Sequence, residues 1–95
     1  MDKRERTTKV RQIADLVEGY LGRLRRIVTF PDPDEDPVDT RQTVMALEDE
    51  IAYLADLAEA LASRGTPTCR RHAQRAATAH TAAQALDTES LRSAP

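Results

Sequence analysis

The chain has 95 residues, of which 40% are hydrophobic and only 3% aromatic, and its net charge is −2. This length allows one domain with a thin core, since folding at this size hides only about 60–65% of the surface that the unfolded chain exposes. The single cysteine, Cys69, excludes an internal disulfide, and no apolar run approaches the roughly 18 residues that a transmembrane helix requires.

Two further features suggest where such a chain belongs. The N-terminus leads into no apolar secretory segment, so a cytoplasmic protein is expected. Twelve of the fourteen basic residues are Arg and Ala is abundant, a bias that indicates a GC-rich bacterial or phage coding sequence. The thin core makes self-association a natural source of added stability.

The first predicted element is a helix over about residues 8–29. Residues 1–8 are charged and lack apolar periodicity, so they are expected to be frayed. Gly19 and Gly22 lie outside the apolar sector, where they permit a bend or a close approach. That sector spans about 140° of the helix, and its residues follow the alternating spacing of a packed seam. They are Val10, Ile13, Leu16, Val17, Tyr20, Leu21, Leu24, Ile27 and Val28.

Residues 30–39 break the helical pattern. Three prolines in this segment remove backbone donors, and its acidic side chains repel one another, so a stiff, extended connector is predicted. Its spacing does not match a helix–loop–helix calcium loop, which requires a Gly at the sixth position and a Glu at the twelfth. Asp32, Asp34 and Asp36 are therefore interpreted as solvated side chains and not as metal ligands.

A second helix is predicted over about residues 40–64, and both of its ends carry signals. Either Asp36 caps its start with Pro37 in the first turn, or Asp39 caps it with Gln42 three residues later. Its end is marked by the run Ser63-Arg64-Gly65-Thr66-Pro67. We interpret this run as a last turn, a left-handed Gly, a new cap and a first-turn Pro, which makes helices 2 and 3 an antiparallel hairpin.

Helix 2 carries two apolar stripes, more than one neighbouring helix can bury. The main stripe continues the seven-residue, coiled-coil-like spacing with Val44, Leu47, Ile51, Leu54, Ala58 and Leu61. The second stripe is the candidate interface, with Glu50 on its border, where it is expected to be half-buried and paired with an Arg or His of helix 3 or of another copy. One stripe would face helix 1, and the other would face helix 3 or a second copy of the chain. The second stripe consists of Ala46, Tyr53, Leu57 and Ala60.

The third helix is predicted over about residues 67–86, followed by a flexible tail over 88–95. Its seam offers mostly methyl groups, so it can approach closely but gains little from apolar burial. We expect it to be the least stable element. The candidate seam residues are Cys69, His72 or Ala73, Ala76, Ala79 or His80, Ala83 and Leu86.

Charge is distributed in blocks along the chain. Residues 1–30 hold eight basic and four acidic groups, residues 31–63 hold one and ten, and residues 64–95 hold five and two. With helix 2 antiparallel to its neighbours, opposite charges are predicted to pair across the helix boundaries and to select the topology.

Metal and catalytic motifs are weak. Cys69 and His72 share a helix face, but His80 lies eleven residues from Cys69, about 16 Å of rise, so the three cannot share one ion. The carboxylates at 48–50, 56 and 59 are interpreted as a solvated face. The chain has no Gly-rich phosphate loop, two-cysteine motif or nucleophile elbow, so neither a cofactor nor an enzyme is expected.

Basic residues on the outer helices are the candidates for nucleic-acid contact. Phosphate binding requires such groups together on one exposed face, without neighbouring acids. The acidic middle segment and the scarcity of aromatic residues for stacking on bases weigh against this function. The candidates are Arg23, Arg25, Arg26, Arg70, Arg71 and Arg75.

The sequence therefore predicts an all-α domain, either a three-helix bundle or a long helical hairpin with an Ala-rich third helix, and one that self-associates. Its expected function is a non-enzymatic interaction module, an assembly subunit or adaptor, that binds itself or another protein through helix seams. A small nucleic-acid-binding regulator is the alternative. An acidic mimic of nucleic acid over residues 32–59 and a small enzyme with a site completed between chains are weaker possibilities.

Overall fold

The structure is a computed structural model that describes the backbone of residues 1–93 and the side chains of residues 1–89. All regular secondary structure in this part of the chain is helical: α1 spans Lys3–Thr29, α2 spans Pro37–Ala62 and α3 spans Pro67–Ser93. Each helix packs against both of the others, with short connections that make successive helices antiparallel. The all-α prediction is confirmed, and the arrangement is a three-helix bundle.

The helix predicted from residue 8 begins earlier, at Lys3. Asp2 is its N-cap, and the Asp2 side chain accepts a hydrogen bond from the backbone N–H of Glu5 at 2.8 Å. Because a capping side chain satisfies the free N–H groups of the first turn, these residues need no apolar stripe to be helical. The prediction of a frayed segment over 1–8 was therefore wrong for residues 3–8.

The connector is shorter and less extended than predicted. The backbone N–H of Glu35 donates to the Asp32 carbonyl at 3.2 Å, and the N–H of Asp34 donates to the Asp32 side chain, which closes a turn. Of the two capping alternatives for α2, Asp36 is the N-cap: its Oδ1 accepts from Val38 N at 2.8 Å, and Pro37 lies in the first turn. The helix predicted over 40–64 therefore spans Pro37–Ala62.

The turn between α2 and α3 lies where it was predicted, but its backbone differs. No residue in the described part of the chain has a positive φ, so Gly65 is not left-handed as predicted. Its N–H donates to the Ala62 carbonyl at 2.9 Å, and Thr66 caps α3 by accepting from Cys69 N at 3.2 Å. A Cβ on Gly65 would lie 2.8 Å from Cys69 Sγ, so the glycine is required for close approach.

The third helix continues beyond its predicted end at residue 86. The chain contains no Gly or Pro between Leu86 and Pro95 that would stop a helix, and the described helix runs through Ser93. The predicted tail over 88–95 is thus helical as far as 93, and its last two residues lie outside the described residues.

The core follows the predicted seams with a few changes. On α3, Ala73 and Ala79 are buried, while His72 and His80 lie at the edges of the seam. Leu16 of α1 is 46% exposed, although it lies inside the predicted sector. The buried residues are Val10, Ile13, Ala14, Val17, Leu21, Leu24, Val44, Leu47, Ile51, Leu54, Ala55, Ala58, Ala62, Cys69, Ala73, Ala76, Ala79 and Ala83.

Candidate protein-interaction surface

The second apolar stripe of α2 lies outside the bundle. Tyr53 is 63% exposed, Ala46, Glu50 and Ala60 are also exposed, and only Leu57 is partly buried against the core. Glu50 is exposed and has no ion-pair partner among residues 1–89, so the expectation that it is half-buried and paired with an Arg or His of helix 3 was wrong; pairing with another copy stays a prediction. The alternative in which this stripe faces helix 3 is likewise wrong.

The opposite edge of the α2 seam is the one that contacts α3. Arg41 forms an ion pair with Asp87 of α3, and residues at spacings of seven from Arg41 lie on the same edge. They are Glu48, Ala55 and Ala62, of which the two alanines are buried. Small side chains on this edge let the Ala-rich α3 approach α2 closely. The larger residues of the second stripe take no part in this contact.

The two edges of the α1 seam also face different neighbours. Asp15 and Glu18 contact Arg75 of α3, which identifies the edge that borders α3. Leu16 and Tyr20 lie on the other edge of the seam, about 100–200° further around the helix, and this edge borders α2. The exposed side of Leu16 therefore opens onto the groove between α1 and α2.

Leu16 and Tyr53 lie at nearly the same height, Leu16 at the edge of this groove and Tyr53 on the outer face of α2 beside it. The connector joins the end of α1 to the start of α2, and at the other end Arg6 Nη1 donates to the Arg64 carbonyl at 3.2 Å. We count the residues that separate Leu16 and Tyr53 from each end of the bundle and allow a rise of about 1.5 Å for each residue. By either count, the two positions differ in height by no more than about 5 Å. We call the apolar strip formed by Leu16, Tyr20, Tyr53 and Leu57 the groove surface.

Arg75, one of the predicted nucleic-acid contacts, is engaged inside the bundle. It forms ion pairs with Glu18 and with Asp15, the latter at 2.7 Å, and its Nη1 lies 2.9 Å from His72 Nδ1. Hydrogen bonds from the Arg75 guanidinium lower the pKa of the Asp15 carboxyl, and the two carboxylates raise the pKa of Arg75. Arg75 thus joins α3 to α1 and is not available for phosphate.

A second polar cluster joins α3 to α2. Asp87 pairs with Arg41 and shares a hydrogen bond with Glu48. The hydrogen bond to Asp87, followed by desolvation, raises the pKa of Glu48 to about 7, while the same hydrogen bond and the Arg41 contact lower the pKa of Asp87. Below about pH 7 the two carboxyls keep one proton between them, and Glu48 holds it because Arg41 favours the ionised form of Asp87.

These ion pairs do not follow the predicted charge blocks. Within residues 1–89, no ion pair joins an acidic residue of α2 to a basic residue of α1 or α3. Four of the five paired side chains are instead the minority charges of their blocks: Arg41 from the acidic middle, Asp15 and Glu18 from the basic first segment, and Asp87 from the last. The fifth, Arg75, carries the majority charge of the last block. The reason is position, since only side chains at the edge of a seam reach the next helix.

The borders of the groove surface therefore keep mainly one sign of charge each, with Glu5 beside Lys9 as an acidic exception on α1. On α1, Lys9 and Arg23 lie seven residues before and after Leu16, on the same line of the helix. On α2, Asp49 and Asp56 lie four residues before and three after Tyr53, and so flank it. All four are exposed, and none forms an ion pair within residues 1–89. One border is basic and the other acidic.

The other predicted nucleic-acid contacts are exposed, and only some of them lie close together. Arg23 borders the groove between α1 and α2, whereas Arg25 and Arg71 line a shallow depression between α1 and α3. Arg70 lines a different depression, between α2 and α3, where Glu59 is its neighbour. Arg26 is exposed on α1. The fold thus groups Arg25 with Arg71 at one depression and with Arg26 at a second, while Arg23 and Arg70 lie elsewhere on the bundle.

Metal ligands are not brought together either. Cys69 is fully buried beside Gly65, and His72 is hydrogen bonded to Arg75. Among the residues that the structure describes, no three His, Cys, Asp or Glu side chains are grouped so that they could hold an ion.

Sequence reasoning placed Tyr53 and Leu57 on the candidate surface but missed Leu16, which it assigned to the core. The available signal was its place at the margin of the apolar sector, about 100–120° from Val10 and Val17. In the part of the chain that the structure describes, no helix has the length and apolar character needed to cross a membrane. Comparison with protein-family models, with curated proteins and with solved structures found no match.

Proposed function

We propose that this protein is a non-enzymatic protein–protein interaction module, an assembly subunit or adaptor, whose groove surface docks a partner helix. The exposure of Tyr53 is the observation that carries this proposal: an aromatic side chain in the middle of α2 is 63% exposed, one residue before the buried Leu54. Tyrosine supplies a large contact area with little loss of side-chain entropy. It is also enriched among the hot-spot residues that contribute most of the binding energy at protein interfaces.

The shape of the surface supports a helical partner. Leu16 and Tyr20 of α1 and Tyr53 and Leu57 of α2 lie beside the groove between these two antiparallel helices, and the exposed Glu50, seven residues before Leu57, adjoins them. A helix that lies in such a groove buries its own apolar stripe against both walls. The basic and acidic borders then select the orientation of the partner, because like charges placed opposite each other would repel.

Site-specific cross-linking tests this proposal. A photoreactive benzoylphenylalanine replaces Tyr53, and in a matched variant it replaces Gln74, which is exposed on α3 away from the groove. After irradiation in cells of the native host, we expect one adduct of defined mass from the Tyr53 position and none from the Gln74 position. Mass spectrometry identifies the partner, which is either this chain or another protein.

Two results would contradict the proposal: no adduct from position 53, or the same set of adducts from both positions. Tyr53 is a better probe than Leu57, since Leu57 packs partly against the core and its substitution would also disturb folding.

A regulator that binds nucleic acid through Arg23, Arg25, Arg26, Arg70 and Arg71 is the alternative proposal. It has less support because Arg23 and Arg70 lie apart from Arg25, Arg26 and Arg71, and because one exposed aromatic side chain, Phe30 beside Arg25 and Arg26, offers little surface for base stacking.

We also propose a cytoplasmic setting and a bacterial or phage origin. The lone, buried Cys69 thiol fits a reducing compartment, and the preference for Arg over Lys fits a GC-rich coding sequence.

A further inference from the structure

We infer that the occupant of the groove surface is a second copy of this chain, related to the first by a two-fold axis parallel to the helices. This inference rests on the proposed function, because it identifies the partner of the same surface. The charge pattern along the two borders of the groove carries it, and the internal ion pairs of the bundle explain that pattern.

The few acidic residues in the middle of α1 and the single basic residue of α2 form ion pairs with residues of α3. Asp15 and Glu18, the acidic residues in the middle of α1, both turn toward Arg75. Arg41, the one basic residue among residues 31–63, turns toward Asp87. What remains beside the groove is a border on α1 that is basic except for Glu5 at its start and an acidic border on α2, with no ion pair between them within residues 1–89.

A surface with one basic and one acidic border is complementary to a rotated copy of itself. A two-fold axis parallel to the helices places α1 of each copy over α2 of the other, so each basic border faces an acidic one. A two-fold axis perpendicular to the helices would instead place α1 on α1 and α2 on α2, with like charges opposed. The charge pattern therefore selects the first arrangement.

The apolar residues fit the same arrangement. Rotation about an axis parallel to the helices leaves heights along the bundle unchanged, so Leu16 of one copy meets Tyr53 of the second copy, and the reverse contact forms at the same time. Counted from the two ends of the helices, the height difference along the bundle is about 2–8 Å between Lys9 and Asp56 of the second copy and about 3–9 Å between Arg23 and Asp49 of the second copy. Long Lys and Arg side chains span such offsets.

Charge exchange between the borders tests this geometry. The first variant carries Lys9→Glu and Arg23→Glu, and the second carries Asp49→Lys and Asp56→Lys. Sedimentation equilibrium should give twice the chain mass of 10.6 kDa for the wild type and the single mass for each variant alone. An equimolar mixture of the two variants should recover the doubled mass, since each border again faces its opposite.

The matched control carries Arg25→Glu and Arg71→Glu, an equal charge change on exposed residues outside the groove. This control should keep the doubled mass, and circular dichroism should show unchanged helicity in all variants. A wild type that stays at the single mass up to millimolar concentration would overturn the inference. So would a mixture that fails to recover the dimer, or a control that loses it.

The outcomes separate the inference from the proposed function. If the wild type is monomeric but position 53 cross-links to a different protein, the second copy is excluded and the docking module stands. If position 53 gives no adduct in cells and the wild type is monomeric, both are overturned.

Discussion

Gly65 is the residue on which the close contact between α2 and α3 depends. A Cβ at this position would lie 2.8 Å from the Sγ and 2.9 Å from the Cβ of Cys69, closer than such atoms approach in folded proteins. Cys69 is fully buried in the first turn of α3 and cannot move away without disturbing the core. The glycine is therefore a requirement of packing, since its φ is accessible to any residue.

This leads to a prediction that separates the three glycines. Gly65→Ala should lower the free energy of unfolding by about 1–3 kcal/mol through overpacking. Gly19→Ala and Gly22→Ala should raise it by about 1 kcal/mol each, because both lie inside α1 with no neighbouring atom within 4 Å of the added Cβ. Urea unfolding of the three variants measures these effects. Equal changes at all three positions would show that Cys69 does not crowd Gly65.

At the scale of whole elements, the contact between α2 and α3 contains a group that titrates near neutral pH. The Glu48 pKa is raised from 4.5 to about 7 in the folded protein, so the folded state binds this proton more tightly than the unfolded state. The stabilisation is complete below pH 4.5 and is lost as the pH rises toward 7. Asp87 acts in the opposite direction: its lowered pKa stabilises the fold above pH 3.8, and this contribution is lost on further acidification.

We therefore expect the free energy of unfolding to fall between pH 5 and pH 8 in the wild type. Glu48→Gln should flatten this dependence and be more stable than the wild type at pH 8, because an amide donates to Asp87 at every pH. Glu59→Gln is the matched control, since Glu59 is exposed on the same helix, outside the cluster and away from the groove surface. Urea unfolding at both pH values gives the result. An unchanged slope in Glu48→Gln would rule out the shared proton.

At the scale of the whole molecule, the core is thin because α3 contributes mainly methyl groups. Its buried residues are Cys69 and four alanines, and no polar or charged side chain is buried with them in the part of the chain that the structure describes. The stabilisation from so small an apolar core only slightly exceeds the conformational entropy that the chain loses on folding. Covering Leu16 and Tyr53 between two copies would add burial that the monomer lacks.

The melting temperature should consequently depend on concentration. For a dimer that unfolds to separate chains, a tenfold rise in concentration contributes about 0.7 kcal/mol per chain, which corresponds to about 3–6 °C in a domain of this size. Thermal unfolding followed by circular dichroism at several concentrations measures this shift. The Lys9→Glu/Arg23→Glu variant should have the same melting temperature at every concentration. A concentration-dependent shift as large as that of the wild type would show that the chains associate through a different surface.

Local periodicity made the helices and most of the core predictable. The spacing of Val10, Ile13 and Val17, or of Leu47, Ile51 and Leu54, requires only the geometry of a helix, so these residues were assigned correctly to seams. The turn at Gly65 was likewise marked by local residue types. Helix ends were less predictable, as the residues after Leu86 show, because a helix continues wherever nothing stops it and a neighbour anchors it.

What the sequence by itself determined is therefore the number of helices, their order and their apolar stripes, since each follows from residues a few positions apart. Only the tertiary structure decided which edge of each seam meets which neighbour, and hence that Tyr53 and Leu16 border one open groove while Glu48, and not Glu50, lies against α3. It also decided that Arg41, Arg75, Asp15, Glu18 and Asp87 pair. The physical reason is that these contacts depend on rotation and height of one helix relative to another, which no pattern within a single helix encodes.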